Sequence, residues 1–271
     1  MTIEAKIILD SVSLHGKRIT TFQLMFPRFI LPEFNTHRVF SRNSASSRAI
    51  PTEKMLAMVI DNPAMPVHWG KNQKGMQASE ELAFAEKLAV QHQWLKARDK
   101  AVETVREMLQ YEPHKQIINR LLEPFMHIQV VCTATEWDNF YSLRAHKDAQ
   151  PEIQALAYAM QDAQDKSVPN ILQSGQWHIP YILDEEKDLP NAVKVKLSTA
   201  RCARVSYWYH DGKLPSVEQD WHLHDRLVGS KPIHASPTEH QAICMNDLKV
   251  YKNFVGWEQY RSFVEKALTV Q

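Results

Sequence analysis

"FNTHRVFSRNSASSRAIP", residues 34–51, carries three arginines, one histidine, two asparagines and four serines, and no acid. A solvated surface usually mixes both signs of charge. A run of donors without a carboxylate points to an acceptor from outside the chain, most simply a phosphate. Guanidinium forks match phosphate oxygens in pairs, and serine hydroxyls complete the set. Arg38, Arg42 and Arg48 cannot share one helical face in a segment bounded by Pro32 and Pro51, but they can surround an anion. Two other readings stand beside this one: a basic surface loop, and a nucleic-acid module. The formal net charge of +1 argues against the module.

Upstream, AKIILDSV and RITTFQLMF read as strands, being rich in β-branched and aromatic residues. Downstream, residues 77–110 read as a helix. Leu88, Leu95, Val102 and Leu109 repeat every seven positions and predict a core-facing stripe. Residues 114–130 read as a further buried element, and Thr135 as the cap of a helix from 136. Pro151 suits the first turn of the next helix, with Ile153, Leu156, Ala157 and Met160 on one face. Residues 166–192 read as a long loop, ARCARVSYWY as a strand and HLHDRLVG as a helix. Ser236-Pro237-Thr238-Glu239 has the pattern of a capping box, with proline at the first helical position. Such a helix start would suit an anion.

The chain has 271 residues, 44% hydrophobic and 23% charged, which is ordinary for a soluble globular protein. We expect one domain over residues 1–271. The start carries acids and does not read as a signal peptide. No apolar run approaches the ~20 residues of a membrane helix. Three separated cysteines, Cys132, Cys202 and Cys244, suggest a reducing compartment. The seven glycines form neither GxGxxG nor a P-loop, so nucleotide binding here would use side chains and helix ends. His222 and His224 are spaced i, i+2 and would not share a helical face, so no metal site is expected. Cys202 lies between two arginines, and cysteine chemistry is a minor reading.

The stretch His37-Arg38-Val39-Phe40-Ser41-Arg42-Asn43-Ser44-Ala45-Ser46-Ser47-Arg48 resembles the RHRxxSxNExSxR signature of the flavin-dependent thymidylate synthases, the ThyX family. DNFYSLRAHKDAQPEIQ resembles the family's NFLxxRxxxxAQxEI helix, and INRLLEP its ARxxLP. ARCARVSY and HASPTEH resemble its AARVSY and HxSPFEH, but here they follow the arginine segment instead of preceding it. That order looks like a circular permutation, which a chain tolerates where its termini meet at the surface.

The resemblance implies an α+β, ThyX-like fold, with an antiparallel sheet and several long helices. It implies conversion of dUMP to dTMP, with methylene-tetrahydrofolate as carbon donor, FAD as redox carrier and NADPH as reductant. A hydroxymethylase of dUMP or dCMP, or a non-catalytic nucleotide-binding relative, remains the alternative. By position, Ser44, Ser46, Ser47, Arg48 and Arg120 would hold the nucleotide. Arg144 would face the pyrimidine carbonyl as the catalytic residue. His37, Arg38, Asn43, Asn139, His234, Ser236 and Glu239 would line the flavin. A homotetramer with interfacial sites, and a cytoplasmic location in a bacterium or a phage-infected host, are expected on the same ground. The chain departs from the pattern at Thr36 (arginine in the family), Ser44 (glutamate), Glu33 (usually glutamine) and Asp148 (often histidine).

Overall fold

The structure, a computed structural model, describes residues 3–205 and 216–269. Strands β1 (Glu4–Ser13) and β2 (Arg18–Pro27) form where the β-branched and aromatic residues cluster. Gly16 makes the turn between them at φ 77°, a conformation in which a side chain would be strained. β3 (Ser41–Ser44) and β4 (His127–Ala134) extend the sheet antiparallel beyond β2, and β5 (Asn170–Leu172) joins β1 in parallel. The order is β3-β4-β2-β1-β5. The donor-rich segment therefore supplies an edge strand.

Strand side chains alternate between faces. Phe22, Leu24 and Phe26 of β2 and Ile128, Val130 and Cys132 of β4 share one face, which is apolar and buried. It packs under α1 (Leu31–Phe34), α5 (Asp138–Arg144) and α6 (Pro151–Asp165). The predicted face of α6, with Ile153, Leu156, Ala157 and Met160, lies in this core. Each such buried side chain stabilises the fold by about 1.5–3 kcal/mol. Beside it, Met55, Leu56 and Val59 of α2 (Thr52–Asp61) pack with Val102 and Val105 of α3 (Phe84–Leu109), with Ile118 of α4 (Lys115–Ile118), and with Leu122 and Phe125. The stripe on α3 is only half buried: Val102 is covered, whereas Leu88 is 50% exposed.

The opposite face of the sheet is polar. Ser11, Thr21 and Thr133 meet His178 and His240 in one buried chain. His178 Nδ1 pairs with Ser11 Oγ at 2.9 Å, and its Nε2 with Thr21 Oγ1 at 2.9 Å. Thr21 and Thr133 hydroxyls are 2.7 Å apart, and His240 Nδ1 meets Thr133 Oγ1 at 2.9 Å. Burial pushes both imidazoles down to about 3. The 174–181 segment places His178 against the sheet.

Several local expectations are corrected. Residues 191–203, which include ARCA, form helix α7 (Asn191–Ala203), not a strand; the SYWY end lies outside the described residues. α8 (Val217–Gly229) holds the predicted HLHDRLVG helix. Between α7 and α8, Arg201 is buried and donates to Glu186 Oε1 at 2.6 Å and to Asp220 Oδ2 at 2.8 Å. That cluster rewards a helix, because one helical face brings Arg201 to both acids. Removing one member of such a buried group costs about 3–5 kcal/mol. Residues 166–192 contain β5, a short strand Trp177–His178 and a single 3-10 turn Asp184–Glu186, so they are not one loop. Thr135 caps no helix; its hydroxyl accepts from Val255 N at 3.0 Å. Ser236–Glu239 is one 3-10 turn without a side-chain cap, so the capping box is not formed.

Candidate active site

The donor-rich segment runs from α1 through β3 to the start of α2. Its arginines part company. Arg42 Nη1 donates to the carbonyls of Phe34, Asn35 and His37, at 3.4, 3.1 and 2.9 Å. Arg42 therefore ties the turn to the edge strand. Arg38 and Arg48 are exposed, and neither has a carboxylate or other hydrogen-bond partner among the described residues. The serines divide in the same way. Ser41 Oγ accepts from Asn253 and Gln259, and buried Ser47 donates to Glu123 Oε1 at 2.5 Å. Ser44 is exposed and Ser46 half-buried, and both hydroxyls are unpaired among the described residues.

His37 lies in an aromatic bed. It stacks on Phe40, with ring centroids 5.7 Å apart, and meets the edge of Phe140 at 4.9 Å. Burial, with Arg144 and Arg42 nearby, lowers its pKa to about 4. The imidazole is therefore neutral near pH 7. Arg144 Nε donates to His37 Nε2 at 3.1 Å, and Arg144 Nη2 lies 3.5 Å from Thr36 Oγ1. Arginine has no acceptor, so Nε2 carries the lone pair and Nδ1 the proton. No acid lies within ion-pair distance of Arg144 among the described residues. Arg144 does not pair with Asp148, because α5 stops at Arg144 and Asp148 turns to His146 at 3.6 Å. Arg144 thus holds a guanidinium fixed by a neutral histidine, with hydrogen-bonding capacity to spare.

The remaining sequence-predicted residues divide as follows. Arg120 is exposed and pairs with Glu123 Oε1 at 3.0 Å, as does Arg28 at 3.1 Å. Glu123 thus gathers Ser47, Arg120 and Arg28 below the 46–48 turn. Asn43 Nδ2 donates to Cys202 O at 3.2 Å, which binds β3 to α7. Asn139 is exposed in the first turn of α5. Ser236 is exposed and Glu239 half-buried, paired with Arg261 at 2.5 Å. The Ser236–Glu239 turn packs on β3, so the late and early blocks meet within one chain. His234 is exposed, and its main-chain N–H donates to Leu227 O at 3.0 Å. Sequence reasoning missed the aromatic bed: Phe40, Trp137 and Phe140 carry no signal beyond hydrophobicity.

Burial pushes the Cys202 thiol up, away from a thiolate. Among the described residues no three His, Cys, Asp or Glu side chains could hold a metal ion. No helix among them is long and apolar enough to cross a membrane.

The family model of the thymidylate synthase complementing protein matches residues 17–170. Among solved structures, the chain is similar to a UMP/dUMP methylase, PolB, from Streptomyces cacaoi bound with 5-Br dUMP. The TM-score is 0.51 at 18% identity, over 61% of this chain and 90% of that one. The same enzyme bound with 5-Br UMP matches with a TM-score of 0.51 at 18% identity, over 61% and 89%. No protein of curated function is significantly similar. The family match spans more than half of the chain and includes the donor-rich segment, Arg120 and Arg144. The chain belongs to the thymidylate synthase complementing protein family, the flavin-dependent thymidylate synthases, and is an enzyme of methyltransferase type.

Proposed function

We propose that this chain transfers a one-carbon unit from methylene-tetrahydrofolate to C5 of a pyrimidine deoxynucleotide monophosphate, dUMP to dTMP, with FAD as redox carrier and NADPH as reductant. The observation that carries this reading is the pair of unpartnered guanidiniums, Arg38 and Arg48, on an acid-free segment beside the Arg144–His37 pair. Two anionic ligands, a nucleotide phosphate and a dinucleotide pyrophosphate, suit that donor set.

Arg48, Ser44 and Ser46 hold the nucleotide phosphate, with Arg120 released from Glu123 to join them. Ser47, buried on Glu123, shapes the turn instead of touching the ligand. Arg38 and Asn139 would hold FAD, with Asn43 and Ser236 as the floor between β3 and the 236–239 turn. His37, His234 and Glu239 support that floor. FAD, when bound, supplies the redox equivalents of the reaction. Arg144 donates to a pyrimidine carbonyl and stabilises negative charge developing there as C5 attacks the one-carbon unit. Neutral His37 keeps its guanidinium fixed without adding a competing charge. The packing of Ser236–Glu239 on Ser41–Ser44 supports a permuted chain order. Exposed Phe84, Leu88 and Val90 on α3 would be covered in the homotetramer we propose.

The test is direct. Purified protein reconstituted with FAD should show a flavin absorbance band that NADPH bleaches. Incubation with dUMP and methylene-tetrahydrofolate should then give a product one carbon heavier by mass analysis. Protein that takes up no flavin and makes no such product would overturn the reading.

A further inference from the structure

Glu123 gathers three partners on one oxygen. Its Oε1 accepts from Ser47 Oγ at 2.5 Å, from Arg120 Nη1 at 3.0 Å and from Arg28 Nη2 at 3.1 Å. The local fold explains the meeting. Residues Asn119–Phe125 form a 3-10 turn, in which positions i and i+3 eclipse, so Arg120 and Glu123 lie one above the other. Asn119, buried in the same turn, donates to the carbonyls of Ser47 and Ile50 at 2.8 and 3.0 Å. The turn that carries Ser46 and Arg48 is therefore fastened to the turn that carries Arg120, and the Glu123 carboxylate touches both. That carboxylate is a departure of this chain. In INRLLEP it stands where the pattern ARxxLP has leucine, which could pair with no arginine.

The two arginines on Glu123 are held unequally. Arg28 has only 19% of its side chain exposed, and its main-chain N–H donates to Met126 O at 2.9 Å. Arg120 is 52% exposed and gives Glu123 one nitrogen. An exposed pair of that kind is weak. When Arg120 leaves, Glu123 keeps Arg28 and Ser47, so no carboxylate is stranded.

We infer that Glu123 sets the affinity of the phosphate site by competing with the nucleotide phosphate for Arg120, while Arg28 and Ser47 hold the carboxylate in place. The inference rests on the nucleotide reading given above. In the free protein Glu123 neutralises Arg120 beside the donors of Ser46 and Arg48. A phosphate monoester brings nearly two negative charges and three acceptor oxygens, and takes the guanidinium over. The exchange replaces one acceptor by another at the same guanidinium, and its cost is the ion pair given up.

The experiment titrates dUMP into the wild-type protein, Glu123→Gln, Arg120→Ala and the double variant. Glutamine keeps an acceptor for Ser47 and removes the charge that holds Arg120. Glu123→Gln should lower the dUMP dissociation constant by about two- to fivefold, the range of one exposed ion pair. In the Arg120→Ala background the same substitution should have no effect. A dissociation constant that is unchanged or higher in Glu123→Gln would overturn the inference, because a merely structural glutamate would spare or weaken binding. So would a gain that persists without Arg120, which would mean repulsion of the phosphate and not competition for Arg120. A crystal structure of the wild-type protein with dUMP decides the matter even if no variant folds. Arg120 should lie on the phosphate, with Arg28 and Ser47 still on Glu123, and an Arg120 that stays on Glu123 would overturn the inference. Wild-type protein that binds no dUMP would overturn the nucleotide reading and this inference together.

Discussion

Within eight residues, Ser41 to Arg48, the same side-chain types do opposite work. Arg42 donates to three carbonyls and knits the edge strand to α1, whereas Arg48 is exposed and unpaired among the described residues. Ser41 and Ser47 are buried and engaged, whereas Ser44 and Ser46 are open. The inward set builds the platform, and the outward set is available to a ligand. An arginine's task is thus decided by where the backbone leaves it, strand for Arg42 and turn for Arg48, and by whether carbonyls wait there. Counting donors in a sequence shows that an acceptor is missing. It does not show which donors are still free.

The largest effect that could break this contrast concerns Arg144, whose fork is fixed but not neutralised. Arg144→Ala should stay folded and flavin-loaded, and should lose about 10²–10³ in kcat, the usual loss for one preorganised donor. Arg144→Lys should be badly impaired too, because the planar fork is lost. Turnover within about threefold of wild type would reduce Arg144 to a partner of His37.

Arg42→Ala tests the inward set. It strips the donor from three carbonyls and should lower stability by about 1.5–3 kcal/mol in denaturant unfolding. An unchanged midpoint would mean that water replaces the guanidinium and that the inward set is not structural.

The two sheet faces predict a pH dependence. His178 and His240 are neutral in the fold, with pKa values pushed down to about 3, whereas the unfolded chain protonates near 6.5. Between those values the unfolded state binds more protons, so stability falls as pH falls below about 6.5. Each histidine contributes up to about 1.4 kcal/mol per pH unit. Replacing His178 by Gln should flatten that slope, as read from unfolding midpoints between pH 7 and pH 5. A slope identical to wild type would remove His178 from the account.

The smallest effect is expected at Arg120, which is 52% exposed and paired with Glu123. Arg120→Ala should change stability by less than about 1 kcal/mol. Any larger effect should appear only in nucleotide affinity, and a large loss of stability would move Arg120 to the inward set.

The legible parts of the molecule were those governed by local pattern. β-branched and aromatic content predicted β1 and β2, and Pro151 with its apolar spacing predicted α6. The parts that were not legible depend on distant partners. ARCA reads as strand beside Val205, Tyr207 and Trp208, yet residues 191–203 are helical, and a helix brings Arg201 to both Glu186 and Asp220. SPTE has the letters of a capping box. Its Thr238 hydroxyl instead donates to the Ala235 carbonyl, 2.6 Å away, and the turn goes no further. Of the candidate site, the motif residues were readable from their spacing, but the division between engaged and free donors was not. Nor was the Arg144–His37 contact, which joins residues 107 apart in sequence.

Arg48 offers the most direct test of the central claim, that the unpaired donors of this segment exist for a phosphate. Titration of Arg48→Ala with dUMP, alongside its thermal unfolding, separates the two tasks in one protein. The account predicts an unchanged unfolding temperature and a dissociation constant raised by about ten- to a hundredfold. Unchanged affinity, with or without a lower unfolding temperature, would contradict it.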